Sequence, residues 1–238
     1  MQTLNIIGAG RVGQTLGRLW HQSGVFALQD VLTNSAASAQ AACDFMGAGH
    51  PVTQMEQMHS ADVWMLAVQD AQIATVALTL EVWAEAVATP APQQQPLVFH
   101  CSGAQSSASL APLAALGWQT ASAHCILSFA SAEIAVPQFP GTACALEGDA
   151  SAIAILHNAF TAIQARCFEV ASQDKLLYHA AALFATNFLP VIQSVAEDAW
   201  LAAGVPQDLI PGLRSSLLTN SVANITRLGS ANALTGRA

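Results

Sequence analysis

Apolar and polar positions along this chain switch repeatedly between a strand period and a helix period. Leu4-Asn5-Ile6-Ile7 is a short buried-strand pattern, Gly8 to Gly13 is a glycine turn, and Gln14 to His21 reads as a helix. Asp30 to Thr33 predicts a second strand and Ser35 to Met46 its helix. Asp62 to Val68 is a continuous apolar run, as expected of a parallel strand covered on both faces. Asp70 is placed to cap a helix reaching about Ala88, and Thr89 to Pro96 reads as a loop. Leu97 to Cys101 is the next strand, then a helix near Ala108 to Leu116 and a strand at Gln119 to His124. Thr142 to Leu146 and Arg166 to Val170 predict two more strands around a helix from Ala150 to Ala165, with Asp149 as its cap. Alternation stops at Ser172. One long helix is expected from about Gln173 to Ala203, stopped by Gly204-Val205-Pro206. The pattern therefore predicts a doubly wound α/β domain over residues 1–171 and a smaller all-helical domain over 172–238.

Composition narrows the functional classes. The chain is 53% hydrophobic and only 9% charged, where soluble domains average roughly 25% charged. So few charges imply that apolar surface is covered in an assembly, and a homodimer through residues after 172 is expected. A net charge of −8 without a basic run argues against nucleic acid as a partner. Five scattered cysteines with no CxxC, and a first strand that begins at once with no leader before it, fit reduced thiols in a cytoplasm. Leu176 to Ala196 lacks charged residues, but Tyr178, His179, Asn187, Pro190, Gln193 and Ser194 load it with polar groups. A buried helix accounts for it better than a membrane span.

The candidate chemistry gathers at strand ends, where open α/β sheets hold ligands. Gly8-Ala9-Gly10-Arg11-Val12-Gly13 has the spacing of a dinucleotide turn. Gly8 suits the tight bend, Gly10 the approach of phosphate, and Gly13 the packing of helix on strand. An NAD site usually carries a carboxylate about 20 residues further on. Here Thr33, Asn34 and Ser35 stand at that strand end, which favours NADP and leaves NAD possible. Arg11 either reaches a phosphate or is a solvated helix-start arginine. Val68, Gln69 and Ser102 follow later strands and complete the expected cofactor set. His100 and His124 each precede a cysteine, but neighbours on a strand point to opposite faces, so no metal site is expected. Cys125 reads as a buried apolar residue rather than a nucleophile. Lys175, His179 and Thr186 fall on one helical stripe, with Asn187 at its edge unless Pro190 bends the helix. Lys175 and His179 are candidate proton donors beside a dinucleotide site, and His124 a candidate cleft residue. The competing readings are an exposed first-turn lysine, a buried interface histidine and a core histidine.

Taken together, these motifs resemble Rossmann-like proteins that carry a helical domain of unknown function. Those proteins lie within the superfamily of 6-phosphogluconate dehydrogenase, pyrroline-5-carboxylate reductase and ketopantoate reductase. The resemblance rests on Ile7 to Gly13, His100-Cys101-Ser102-Gly103, His124 with Ser128-Phe129, and Lys175 to Ala182. Asn187 and Ala233-Leu234-Thr235-Gly236 add to it. It implies a Rossmann-type fold, NADP(H), and hydride transfer with a small carbonyl or imine substrate. Lys175, His179 and His124 would then be catalytic, and Asn187 would orient substrate. Members of the group carry proline where this chain has Cys125, and they continue past the Leu-Thr-Gly stretch, whereas this sequence ends at Ala238. Those departures keep open the alternative of a non-catalytic NADP(H)-binding regulatory or interaction protein.

Overall fold

The computed structural model describes residues 1–87 and 95–234. Most of the expected Thr89 to Pro96 loop, and Thr235-Gly236, lie outside the described residues. Eight strands form one sheet in the order β3-β2-β1-β4-β5-β6-β7-β8. They are β1 Gln2–Ile7, β2 Phe26–Leu32, β3 His50–Val52, β4 Val63–Leu66, β5 Leu97–His100, β6 Gln119–Cys125, β7 Ala143–Gly148 and β8 Arg166–Glu169. The first six follow the parallel doubly wound order. β3 lacks a strand signature in the sequence because it is three residues long and includes Pro51.

β7 runs antiparallel to β6, and β8 runs parallel to β7. The link from β6 to β7 contains the short helix α5, Ala132–Gln138, which the apolar pattern did not predict; Ser131 caps it by accepting from the Ile134 N–H. Gly148 ends β7 at φ +136, where a Cβ would stand 2.3 Å from the Thr120 carbonyl oxygen. Only glycine lets the two backbones come that close.

Helices cover both faces of the sheet. On one face α1 (Arg11–Gln22), α2 (Ala36–Met46) and α6 (Ala150–Ala162) close over Leu4, Ile6, Phe99 and Leu146. Trp20 is the centre of that side: it meets Phe26, Phe99 and Phe160 edge-on, and its indole N–H donates to the Ala159 carbonyl at 3.0 Å. On the other face α3 (Ile73–Ala86) and α4 (Ala111–Ala115) cover Ile7, Trp64, Leu66 and Val98. β1 serves both cores because its side chains alternate.

Two expected caps are used otherwise. The Asp70 carboxylate accepts from the Ser102 hydroxyl at 2.7 Å, and a 3-10 turn over Asp70–Gln72 leads into α3. The Asp149 carboxylate accepts from the Thr120 N–H at 2.7 Å, bracing β6 rather than closing α6. In each case a strand-end donor distant in sequence competes successfully for the carboxylate.

The expected single helix from Gln173 to Ala203 is two helices, α7 Lys175–Ala185 and α8 Phe188–Ala202. Pro190 has no N–H for the Thr186 carbonyl and its ring would clash there, so the ladder breaks at Thr186-Asn187. Pro190 then sits in the first turn of α8, where a missing donor costs nothing. α9, Ile210–Leu228, follows. The chain divides into compact units Met1–Ala180 and Ala181–Ala238, so the first unit extends past the expected boundary at residue 171. Lys175, bonded into the sheet, draws the start of α7 into it. Among the described residues no single helix is long and apolar enough to cross a membrane, although α7 with its preceding turn and α8 pass that test as a bent pair.

Candidate functional site

At the carboxyl end of β1 the three glycines of the turn have three different surroundings. Gly8 sits at φ +83, where a Cβ would lie 2.6 Å from Val68 and 2.8 Å from the Ala67 carbonyl oxygen. A Cβ on Gly13 would lie 2.7 Å from the Gly8 carbonyl oxygen. Gly10 has nothing within 4 Å of that position. Two glycines are thus required by packing, and the third faces open ground above the start of α1. That helix begins with no side-chain cap and no acidic residue in its first turn. Its first N–H groups and positive dipole end are left for an anion.

A cleft of about 500 Å³ opens there, lined by Gly8, Ala9 and Gly10, by Thr33 and Asn34, and by Val68 and Gln69. Ser38 and Thr53 also line it, and nothing in their spacing marked them. Ser35 caps α2 by accepting from the Ser38 N–H. Val12 packs on the core. The Arg11 guanidinium donates to the Phe129 carbonyl at 3.3 Å, in the loop after β6. Among the described residues no carboxylate lines the cleft beside Thr33 and Asn34. These residues fit a dinucleotide, and the open position at Gly10 is what a pyrophosphate would fill.

Further along the same strand ends, β5 and β6 meet the start of α7. Lys175 is 2% exposed. Its ammonium donates to the Ser102 carbonyl at 2.9 Å and to the Ser122 hydroxyl at 2.6 Å. Ser122 in turn donates to Glu147 at 2.8 Å. Burial pulls the Lys175 pKa down, with Glu147, Asp70 and Cys101 opposing the fall. Burial pushes Glu147 up, but hydrogen bonds from Ser172, Ser107 and Ser122 outweigh it and hold the carboxyl below its ordinary value.

His124 lies one step away, its Nδ1 2.8 Å from the Tyr178 hydroxyl. Burial lowers its pKa to about 4, helped by Lys175 and His179, so the ring is neutral at pH 7. Burial raises that of Tyr178. The His179 Nδ1 is buried without a hydrogen-bond partner among the described residues. It lies over Gly103, where a Cβ would come within 2.7 Å of it and 3.0 Å of His124. The Ser102 hydroxyl, bonded to Asp70, also accepts from the Ala104 and Gln105 N–H groups and fixes this turn.

His124, Lys175 and His179 thus gather around Ser102-Gly103. Asn187 belongs to the second unit, at the head of α8, where its side-chain oxygen accepts from the Thr186 hydroxyl at 3.1 Å. Tyr178, Ser122 and Glu147 were not anticipated. One signal for Tyr178 was available: it is the only tyrosine of the chain, three residues from the only lysine. His100 is fully buried and bonds the Ser106 carbonyl, and no group of three metal-ligating side chains occurs among the described residues. Cys125 is buried against Cys144.

A family model for a Rossmann-like domain matches residues 2–125, more than half of the sequence. The chain belongs to the Rossmann-like domain family. A second model, for a domain of unknown function designated DUF2520, matches residues 142–238. No sequence among the curated proteins matches. Among solved structures, protein TM1727 from Thermotoga maritima is similar at 23% identity and a TM-score of 0.73, covering 98% of this chain and 83% of its own. A pyrroline-5-carboxylate reductase from Coxiella burnetii is 14% identical with a TM-score of 0.61, over 95% of this chain and 80% of its own. An imine reductase variant from Myxococcus stipitatus, in complex with NAD+, is 18% identical with a TM-score of 0.63, over 100% of this chain and 79% of its own. These likenesses establish the fold.

Proposed function

We propose that this chain is an NADP(H)-dependent oxidoreductase acting on a small carbonyl or imine. The observation that carries the reading is one continuous row of strand ends. The glycine turn, open at Gly10, stands at β1, and the Lys175, His124, Tyr178 and His179 cluster stands at β5 and β6. Gly8, Gly10 and Gly13 with the first turn of α1 would hold the pyrophosphate. Thr33, Asn34 and Ser38 would receive the adenosine ribose and its phosphate, with no carboxylate to repel it. The nicotinamide of such a cofactor supplies the hydride. Lys175 keeps a proton at Nζ, and Tyr178 fixes the neutral His124 ring. The unpartnered Nδ1 of His179 is the atom free to meet a substrate oxygen or nitrogen. Two of the similar structures are named for imine-type substrates, which favours carbon–nitrogen double bonds. The reading includes a cytoplasmic homodimer.

Titration of the purified protein with NADPH and NADH, followed by nicotinamide fluorescence, tests it. Tight, NADPH-selective binding is the expected result, followed by cofactor oxidation with some member of a panel of small ketones, ketoacids and cyclic imines. Lys175→Gln and His179→Ala should then lower turnover by about 10²–10⁴-fold while changing NADPH affinity only a few-fold. Failure to bind either nucleotide overturns the proposal. Binding without turnover across the panel points instead to a nucleotide-responsive binding protein.

A further inference from the structure

Lys175 is a buried cation without a direct counter-ion: among the described residues no carboxylate forms an ion pair with it. Burying a lone charge is costly, and such a lysine ordinarily sheds its proton. What stands nearby is a second-neighbour carboxylate. Glu147, on β7, is 3% exposed and accepts from three serines on three different segments. Ser107 donates to it through both its N–H and its hydroxyl, Ser172 donates from the turn three residues ahead of Lys175, and Ser122 donates from β6. The Lys175 ammonium can only donate, so Ser122 accepts from it and gives its one hydroxyl proton to Glu147, and the chain of donors runs one way. Glu147 therefore presents its negative charge toward the ammonium through the Ser122 hydroxyl.

We infer that Glu147, acting through the Ser122 hydroxyl, is the positioning residue that keeps Lys175 charged and aimed at the Ser102-Gly103 turn. This rests on the proposed role of Lys175 as the proton-holding group, but it concerns the lysine itself and is measurable without substrate. Other titratable groups face Lys175 as well: Asp70 after β4, His100 and Cys101 at the end of β5, and His124 on β6. Of these, Glu147 is the one joined to it through a shared hydroxyl.

Because the chain has a single lysine, protein labelled with [13Cε]-lysine gives one resonance, whose shift reports ammonium or amine. Its pH titration is read in the full-length wild type and in three variants, without nucleotide. Glu147→Gln should move the midpoint down by about one unit or more. Ser122→Ala, which breaks the relay and leaves the carboxylate, should also lower it. Ser172→Ala removes a bond to Glu147 outside the relay and should leave the midpoint unchanged. An unmoved midpoint in both Glu147→Gln and Ser122→Ala overturns the inference, and so does an equal shift in Ser172→Ala, which would reveal a purely structural role. If Glu147→Gln does not fold, Ser122→Ala against Ser172→Ala decides alone. A shifted lysine in a protein that binds no nicotinamide nucleotide would sink the proposed function only. An unmoved lysine in a protein that binds NADPH would sink the relay only.

Discussion

A methyl group added at each glycine of the first turn would meet something different, and the difference separates folding from binding. Gly10 is at φ −75 with open space around it, so Gly10→Ala should cost at most about 1 kcal/mol of stability, the usual loss at a helix cap. It should nonetheless weaken NADPH binding by at least about tenfold, a change of about 1.4 kcal/mol. Gly13→Ala drives a Cβ into the Gly8 carbonyl and should destabilise the free protein by about 1–3 kcal/mol. Denaturant midpoints beside nucleotide titrations check both, and equal stability losses would mean that Gly10 is held by packing after all. The turn was legible because its chemistry is local, three glycines within six residues. Tyr178, Ser122 and Glu147 were not, because their partners lie 54, 53 and 25 residues away in the chain. Spacing along one helix could pair Lys175 with His179, but only the folded sheet brings Ser122 beneath them.

Among the elements, β5, β6 and β7 carry the groups that set the response to acid. His100 and His124 both have lowered pKa values, chiefly through burial. The unfolded chain therefore takes up their protons first as pH falls. Their contribution to stability is full above the ordinary histidine value and is lost between it and about 4 for His124. Glu147, also held low, adds a loss of the same sign at the acid end of that range. Urea midpoints measured at pH 7 and pH 5 should drop by an amount worth about 1–3 kcal/mol with little change in slope. A midpoint independent of pH would mean that the histidines are solvated. Strand and helix order from β1 to β6 followed from the apolar period except at β3, which is three residues long and includes Pro51. The antiparallel β7 did not, since an apolar run carries no direction and the closeness of Gly148 to β6 is tertiary. The break at Thr186-Asn187 was foreshadowed by Pro190, but the pattern on either side of it reads as one continuous helix.

Over the whole molecule, scarcity of charge leaves apolar residues in the open. Leu176, Leu177, Phe184, Val191, Ile192 and Val195 are each more than half exposed, far beyond scattered surface leucines. Light scattering at micromolar concentration should find a dimer, and Leu177→Glu with Ile192→Glu should shift it toward monomer. A wild-type monomer would contradict the assembly. The same scarcity has a practical side at the strand ends, where the chain's one lysine is shut away. An acylating reagent reaches that amine only when the contact with Ser102 and Ser122 opens. With enough reagent for acylation to outpace reclosing, the rate of modification clocks the opening of this corner with no engineered probe.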